Sequence, residues 1–301
     1  MIYLKIRYLY IRMDETSTRS LMCPSLPRIS TITVLSFLDI KAPIVLYDLF
    51  QHIRPVKEDE EGILKLKIHR YEDHKHVMYE KTFIAEERND IKHCFRNQLT
   101  IIWLFKSHTG SLCKANCMLF NNGKLKIVGI QHESNIIPSL NALVHYLQPY
   151  MHEVTPLLTF SQTRCCMINT DFSIGFRILR EEMYRLIRMK YSLICSYEPD
   201  IYPGVKIRYY ANTLHQVSKG VCHCSVKCKG KGSGHGNGDC KAVTICIFQS
   251  GNVIITGANH FKQIDDTYSF ITTIFREHEK DIIYNEPKIV YDQQGKLQII
   301  H

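Results

Sequence analysis

The chain has 301 residues, 45% of them hydrophobic and 22% charged. That is enough chain for one large domain or two ordinary ones, and the balance excludes wholesale disorder. Lys and Arg outnumber Asp and Glu by 38 to 29, a net charge of +9, which permits attraction to nucleic acid without specifying it.

No apolar run approaches the ~18 residues of a membrane span, so no membrane partner is expected. Residues 2–12 interrupt apolar positions with Lys5, Arg7 and Arg12, so no secretory leader is expected. The twelve cysteines then point to an intracellular, reducing compartment. Residues 1–28 read as an N-terminal extension. A strand is expected over 29–37 and a helix over 39–50, interrupted near Pro43. The stretch 54–93 is charged and irregular, with one strand at 63–68, and reads as an insertion. A further strand covers 95–105.

A repeat then appears at a constant offset of 128 residues: MLFNNGKLKIVGIQH from Met118 and CIFQSGNVIITGANH from Cys246. Phe120 matches Phe248, Gly123 matches Gly251, Gly129 matches Gly257 and His132 matches His260. Asn-Asn-Gly and Gln-Ser-Gly each sit between β-rich runs, which predicts two tight hairpins with glycine at a positive φ. Apolar positions coincide in the helix after each hairpin: Ile136 with Ile264, Leu140 with Tyr268, Leu143 with Ile271, Leu147 with Phe275. A core or surface role is expected for the paired histidines. The period is too long for a solenoid and indicates a pseudo-twofold molecule. Upstream of the second copy, 176–195 reads as a helix with Leu179, Met183, Leu186 and Ile187 on one face, followed by a turn and strands at 205–210 and 243–248. The plan is α+β, with helices on one face of an antiparallel sheet.

The run YEPDIYPG from Tyr197, then IFQSG to Gly251 and ITGA to Ala258, resembles the second repeat of the TATA-box-binding protein core, which has YEPELFPG, IFVSGK and TGAK. DFSIGFRI from Asp171 resembles the entry to that repeat's first helix. Leu38-Asp39-Ile40-Lys41 and Phe120-Asn121-Asn122-Gly123-Lys124 match the first repeat in outline. The resemblance covers 29–283, with repeats at 29–150 and 164–283 and a tail at 284–301. It is most similar to the divergent TATA-binding-like proteins of large DNA viruses.

The resemblance implies a saddle: a curved antiparallel sheet whose concave face takes the DNA minor groove, with helices on the convex face. Aromatic wedges would kink the duplex. The wedge positions fall on Phe95, Phe120, Tyr202 and Phe248. Thr256 retains the groove-facing Thr of TGA, where the first repeat has Val128. The family's groove-reading Asn positions fall on Thr31 and Cys165, with Asn169 close but out of register. Lys124 and Arg208, together with Arg96, Lys126 and Lys206, are candidate phosphate contacts. Arg177, Arg180, Arg185, Arg188 and Lys190 would face away from DNA and suit protein partners. Glu198 and Asp200 keep the acidic turn that meets a transcription factor IIB-like partner and, beyond it, the RNA polymerase machinery.

An insertion at 219–241 carries Cys222, Cys224, Cys228 and Cys240 among alternating glycines and lysines. Four thiolates in this span can close a tetrahedral Zn²⁺ site. Its C-x-C opening departs from the usual C-x2-C, and His223 or His235 is an alternative ligand. The loop is expected beside the Glu198 turn. The function expected is a transcription-initiation factor that binds A/T-rich double-stranded DNA. The alternative is an architectural DNA-bending protein without promoter choice. An enzyme is not expected, since no Walker loop, HExxH or GxSxG occurs. The expected setting is a nucleus or a viral factory in host cytoplasm. The family implies a monomer on DNA and a homodimer without it.

Overall fold

Alternation of side chains builds the sheet. Leu99, Ile101, Trp103 and Phe105 are buried while Thr100, Ile102 and Leu104 lie on the opposite face, the period-two pattern of a strand with one face in the core. The computed structural model describes residues 22–91, 97–151, 155–215, 220–284, 288–291 and 297–300. The first half runs β1 (Arg28–Leu38), α1 (Leu46–His52), β2 (Gly62–Glu72), β3 (Lys75–Thr82), β4 (Glu86–Ile91), β5 (Gln98–Lys106), β6 (Leu112–Phe120), β7 (Lys124–Ile130) and α2 (Ile136–Leu147). The second runs β8 (Phe160–Ser173), α3 (Arg180–Lys190), β9 (Ile194–Glu198), β10 (Tyr202–Ala211), β11 (Lys241–Ile247), β12 (Asn252–Ala258) and α4 (Phe261–Glu277). These strands form one antiparallel sheet of twelve, ordered β4-β3-β2-β5-β6-β7-β1-β8-β12-β11-β10-β9. A separate two-stranded antiparallel sheet pairs Lys288–Tyr291 with Leu297–Ile300.

The two halves meet along β1 and β8, and the register there is symmetric about one pair. Ile32 faces Ile168, Thr31 faces Asn169 and Thr33 faces Met167. On either side of the Ile32–Ile168 pair, Ser30 on β1 and Cys166 on β8 are extra residues in equivalent places, and β8 has one further extra residue between Ser161 and Arg164. The flanking pairings repeat as well. Val34, Leu35, Ser36 and Phe37 pair with Ile127, Lys126, Leu125 and Lys124. Thr170, Asp171, Phe172 and Ser173 pair with Ile255, Ile254, Val253 and Asn252. This is the α+β, pseudo-twofold plan of the expected saddle. The bulges also move an expectation: the mate of Thr33 is Asn169 and the mate of Thr31 is Met167, whereas Cys165 faces Val34.

The helices bury their apolar stripes on one face. Ile136, Leu140, Leu143 and Leu147 of α2, and Ile264, Ile271 and Phe275 of α4, are buried at the repeat-matched positions. Tyr268 packs edge-on against Phe172 at 4.8 Å. Met183 and Ile187 anchor α3. Both hairpin glycines have the positive φ that their turns require, +79° at Gly123 and +85° at Gly251.

Three local expectations change. The first helix begins at Leu46, not near 39. Before it, Asp39 N–H donates to Thr159 O at 2.9 Å and Ile44 N–H to Asn121 O at 2.8 Å, and Pro43 disfavours helix at the residue before it. The helix expected over 176–195 is shorter, because Ile178 bridges to Ile283 and Leu179 N–H bonds Ile282 O at 2.7 Å. The stretch 54–93 is largely sheet. β2 belongs to the repeat, pairing with β5 as β9 pairs with β10. β3 and β4 are the added part, and they extend the sheet at its edge. Lys81 of β3 is buried and donates to Phe50 O at 3.1 Å and Gln51 O at 2.7 Å, so the addition caps the end of α1. The outermost strand is exposed and carries Glu86, Glu87, Arg88 and Asp90, charges that discourage edge-to-edge pairing.

Candidate nucleic-acid interface and cysteine cluster

The sheet face opposite the helices is built in rows. In the second half one row runs Arg208, Thr244, Thr256. Thr256 Oγ1 donates to Asn169 Oδ1 at 2.5 Å, Asn169 faces Thr31, and Thr31 Oγ1 accepts from Gly129 N–H at 3.0 Å. In the first half a row runs Lys126, Met118, Thr100, Lys67. The face therefore has an uncharged polar centre at Thr31, Asn169 and Thr256, with cations outward on both sides, Lys126 and Lys67 in the first half and Arg208 in the second.

The cations divide into two groups. Lys65 and Lys67 share Glu80 at 2.5 and 2.6 Å, and Lys106 holds Glu61 at 2.8 Å. By contrast, among the described residues Lys114, Lys124, Lys126, Lys206 and Arg208 make no ion pair, and all lie at free-face positions of β6, β7 and β10. The nearby acid, Asp171, is bonded by Arg28 at 3.0 Å. The unpaired positive charge thus sits where a polyanion would meet the face.

At the outer end of the second half, the Tyr202 and Phe248 rings lie 5.8 Å apart, tilted by 55°. Gly204 permits this contact, because a Cβ there would stand 2.9 Å from Tyr202 and 3.2 Å from Phe248. Lys206 Nζ lies over the Tyr202 ring at 3.8 Å. Burial, with the Cys246 thiol as hydrogen-bond partner, pushes the Tyr202 phenol up to about 12, so it is neutral at physiological pH. Phe120 occupies the matching place in the first half, facing Gln98 where the second half has Gly204, with Lys124 Nζ at 5.7 Å. Both Phe120 and Phe248 are half-buried. Phe95 and Arg96 lie outside the described residues. Residues 22–27 run beside β8, with Ser25 N–H bonded to Ser173 O at 2.8 Å. They raise one wall of a groove floored by Phe248, Asn252 and Ile254.

Glu198 and Asp200 are exposed in the turn between β9 and β10, with Ile201 80% exposed beside them. The cysteine loop lies at the opposite end of β10, not beside this turn. The reason is connectivity: the turn precedes Tyr202, the loop follows Ala211, and ten residues of strand separate them. The loop instead docks on the start of α4. Gln263 Nε2 donates to Ser233 O at 2.9 Å, while Gln263 Oε1 accepts from Asn259 N–H at 2.9 Å and His260 N–H at 3.3 Å. Asp239 organises the loop by accepting from Ser233 N–H and His235 N–H.

Sγ atoms of Cys222, Cys224, Cys228 and Cys240 all lie within 4.8 Å of one another. Cys224 and Cys240 are 3.4 Å apart, Cys240 and Cys222 3.6 Å. A tetrahedron of thiolates at ~2.3 Å from Zn²⁺ has edges of about 3.8 Å, so the set has metal-site dimensions. Two of the sulfurs accept hydrogen bonds, Cys224 Sγ from Gly238 N–H at 3.0 Å and Cys240 Sγ from Asn212 Nδ2 at 3.3 Å. The Gly238 amide is the largest influence holding the Cys224 thiol below its ordinary value. His223 is exposed, and His235 faces the His260 ring at 5.8 Å, outside the cluster. His132 and His260 precede their helices in the same extended conformation, a local structural role.

The structure brings Tyr202 and Phe248 together, sets Thr256 on the central row, and leaves Lys124 and Arg208 unpaired on the same face. Asn169 is the central side chain that sequence alignment set aside. Strand alternation from Asp171 would have found it, since both share one face.

Two back-to-back repeats in one sheet, helices on one side and a row-built polar and basic surface on the other, define a TATA-binding-like architecture. No protein-family model matches the chain. It is 24% identical over 287 residues, 90% of its own length and 70% of the relative's, to a TATA-box-binding protein-like protein of Acanthamoeba polyphaga mimivirus. Among solved structures, TBP of Methanococcus jannaschii matches at 13% identity and a TM-score of 0.44, covering 85% of this chain and 99% of that one. The resemblance read from the second-repeat motifs is borne out: the chain is similar to a divergent viral TATA-box-binding-like protein.

Proposed function

We propose that the chain is a TATA-binding-like transcription-initiation factor that takes the minor groove of A/T-rich double-stranded DNA on its helix-free face and bends it. One observation carries the reading: the unpaired cations, the central hydrogen-bonding row and the paired aromatic rings occupy the same face of one sheet. Cations on that face hold phosphates and set position. Asn169 and Thr256 offer the central polar groups that separate A·T from G·C. Tyr202, Phe248 and Phe120 stand at the outer ends, where apolar insertion unstacks a base step for a few kcal/mol. The chain acts by binding, not as an enzyme.

The four-cysteine loop holds a structural Zn²⁺. Glu198, Asp200 and exposed Ile201 form the contact for a factor IIB-like protein, which brings the RNA polymerase machinery. The setting is a nucleus or a cytoplasmic viral factory. On DNA the chain is monomeric; without DNA the same face pairs two copies. A second reading, architectural bending without promoter choice, is favoured by the first half, where Val128 stands for Thr256 and Thr33 is only 3% exposed.

The test is a short duplex with donor and acceptor dyes at its ends, in A·T-rich and G·C-rich versions at fixed salt. Bending of the A·T-rich duplex alone, lost in Phe120→Ala with Phe248→Ala, supports the promoter-reading factor. Equal bending of both supports the architectural reading. Bending of neither overturns the wedge assignment.

A further inference from the structure

Asn116 is a polar side chain without a partner on the free face of the first half. It sits on β6 between buried Ala115 and Cys117, which pair with buried Trp103 and Ile101 in the core. Alternation therefore turns Asn116 to the helix-free face, in line with Met118 and Phe120. Its neighbours across the sheet are Ile102 on β5 and Val128 on β7. Asn116 Oδ1 is buried and accepts no hydrogen bond, whereas Nδ2 is not buried in this way and the residue as a whole is half-buried. The amide thus holds its oxygen against the sheet and opens its NH₂ outward. A buried acceptor left without a donor destabilises the fold. Such a group in a native chain calls for a role other than stability.

The repeat gives that role a place. The offset of 128 matches Asn116 to Thr244 and Val128 to Thr256, and Asn116 faces Val128 as Thr244 faces Thr256. In the second half the outward donor is Asn169, whose amide oxygen is held by Thr256. The first-half mate of Asn169 is Thr33, which is buried, and Val128 has no polar group. The first half therefore carries its donor on β6, one strand further out than Val128. The order β6-β7-β1-β8 puts Asn116 three strands from Asn169, about 14 Å at the usual strand spacing.

We infer that Asn116 reads bases for the first half. Its NH₂ donates to the adenine N3 or thymine O2 acceptor of an A·T pair in the minor groove, and is crowded by the guanine amino group of G·C. Ile102, Met118 and Val128 surround it with apolar groups, so a seated duplex excludes water from the bond and strengthens it. Readout is then two-sided and uneven, central in the second half and off-centre in the first. This inference rests on the duplex-binding reading above.

The test uses the full chain and three short duplexes: A·T-rich, G·C-rich, and the G·C-rich one with inosine for guanosine, which removes only the minor-groove amino group. Anisotropy titration at fixed salt reads each affinity. The parent is expected to rank the A·T and inosine duplexes together, above G·C. Asn116→Leu is expected to lower affinity for those two by about 2- to 10-fold, the scale of one net hydrogen bond, and to leave the G·C duplex little changed. The same loss is expected in an Asn169→Ala background, since sites three strands apart act independently. Asn116→Leu also removes the unpaired oxygen, so its urea midpoint should equal or exceed the parent's, which separates lost readout from lost folding. Asn116→Asp keeps the shape and replaces the donor with an acceptor for the guanine amino group, and is expected to narrow the A·T-to-G·C ratio further. Equal loss on all three duplexes, or no loss, in both variants overturns the role of Asn116. A parent that binds all three alike overturns the readout and leaves the duplex reading standing. A parent that binds none overturns the duplex reading itself.

Discussion

Thr256 donates its hydroxyl to Asn169 Oδ1 at 2.5 Å, which commits the amide oxygen and leaves the Asn169 NH₂ group as the donor of the central row. A donor there suits the minor-groove acceptors of A·T pairs and is crowded by the guanine amino group of G·C. Asn169→Ala with Thr256→Ala is expected to cost about 1 to 2 kcal/mol on A·T-rich duplex, on the scale of one or two net hydrogen bonds. G·C-rich duplex should lose less. Equilibrium titration of both duplexes, by fluorescence anisotropy, reads the ratio. Equal loss on both would remove Asn169 from sequence readout.

The aromatic pair makes a separate prediction. Gly204 lets the Tyr202 and Phe248 rings meet, and together they present one apolar edge. Phe248→Ala removes the ring without opening the core, since Phe248 is only half-buried. The expected outcome is a marked loss of end-to-end energy transfer in the bent duplex, with thermal stability lowered by less than about 1 kcal/mol equivalent, as for surface changes outside the core. Tyr202→Phe should retain bending, because the phenol is already neutral and the ring unchanged. Loss of bending in Tyr202→Phe would assign the work to the hydroxyl.

Sequence reasoning reached these elements unevenly, for identifiable reasons. The two hairpins and the helices after them were legible because Gly123 and Gly251 mark turns that only positive φ satisfies, and the apolar positions after them keep helical spacing. The YEPDIYPG run located Tyr202 and the acidic turn. β3 and β4 were not legible, because Lys, Glu and Arg dominate them and only Val77 and Lys81 are buried. The bulges at Ser30 and Cys166 were also hidden. A bulge leaves no composition signal yet shifts every later position, which is why Asn169 was assigned off register. The side on which the cysteine loop lies followed only from strand connectivity.

Lys81 gives a stability prediction with a pH signature. It caps the end of α1 through Phe50 O and Gln51 O, so Lys81→Met leaves two carbonyls without their partner and should cost about 1–3 kcal/mol. Burial is the largest influence lowering the Lys81 ammonium from its ordinary value of 10.5; Glu86 opposes the shift and Arg54 adds to it. A cation disfavoured by the fold penalises stability while it stays charged. The penalty is therefore full below the depressed value and disappears as pH rises from there to about 10.5. Relative to Lys81→Met, the parent chain should gain stability across that window in urea melts. A parallel pair of curves would show that the Lys81 ammonium has the same pKa in the folded and unfolded chain.

The cysteine cluster predicts a metal-dependent local order. Gly230, Gly234, Gly236 and Gly238 all have positive φ, so the loop is entropically costly to hold by itself. Backbone bonds from Gly232 to Cys240 O and from Gly234 to Asp239 O help, but the four Sγ atoms draw the ends together. Zinc-loaded chain is expected to carry one Zn²⁺ by elemental analysis. Chelation should make 222–240 cleavable by trypsin at Lys227, Lys229 or Lys231 while the sheet stays intact, because the loop follows β10 without contributing to the repeat pairing. Cys240→Ser, at the most buried ligand of the four, should abolish zinc retention. His235→Ala should leave it unchanged, since its ring stands beside His260 and outside the ligand set. Full protection of the loop after chelation, with no zinc bound beforehand, would mean that hydrogen bonds from Asp239 and Gln263 hold it without a metal.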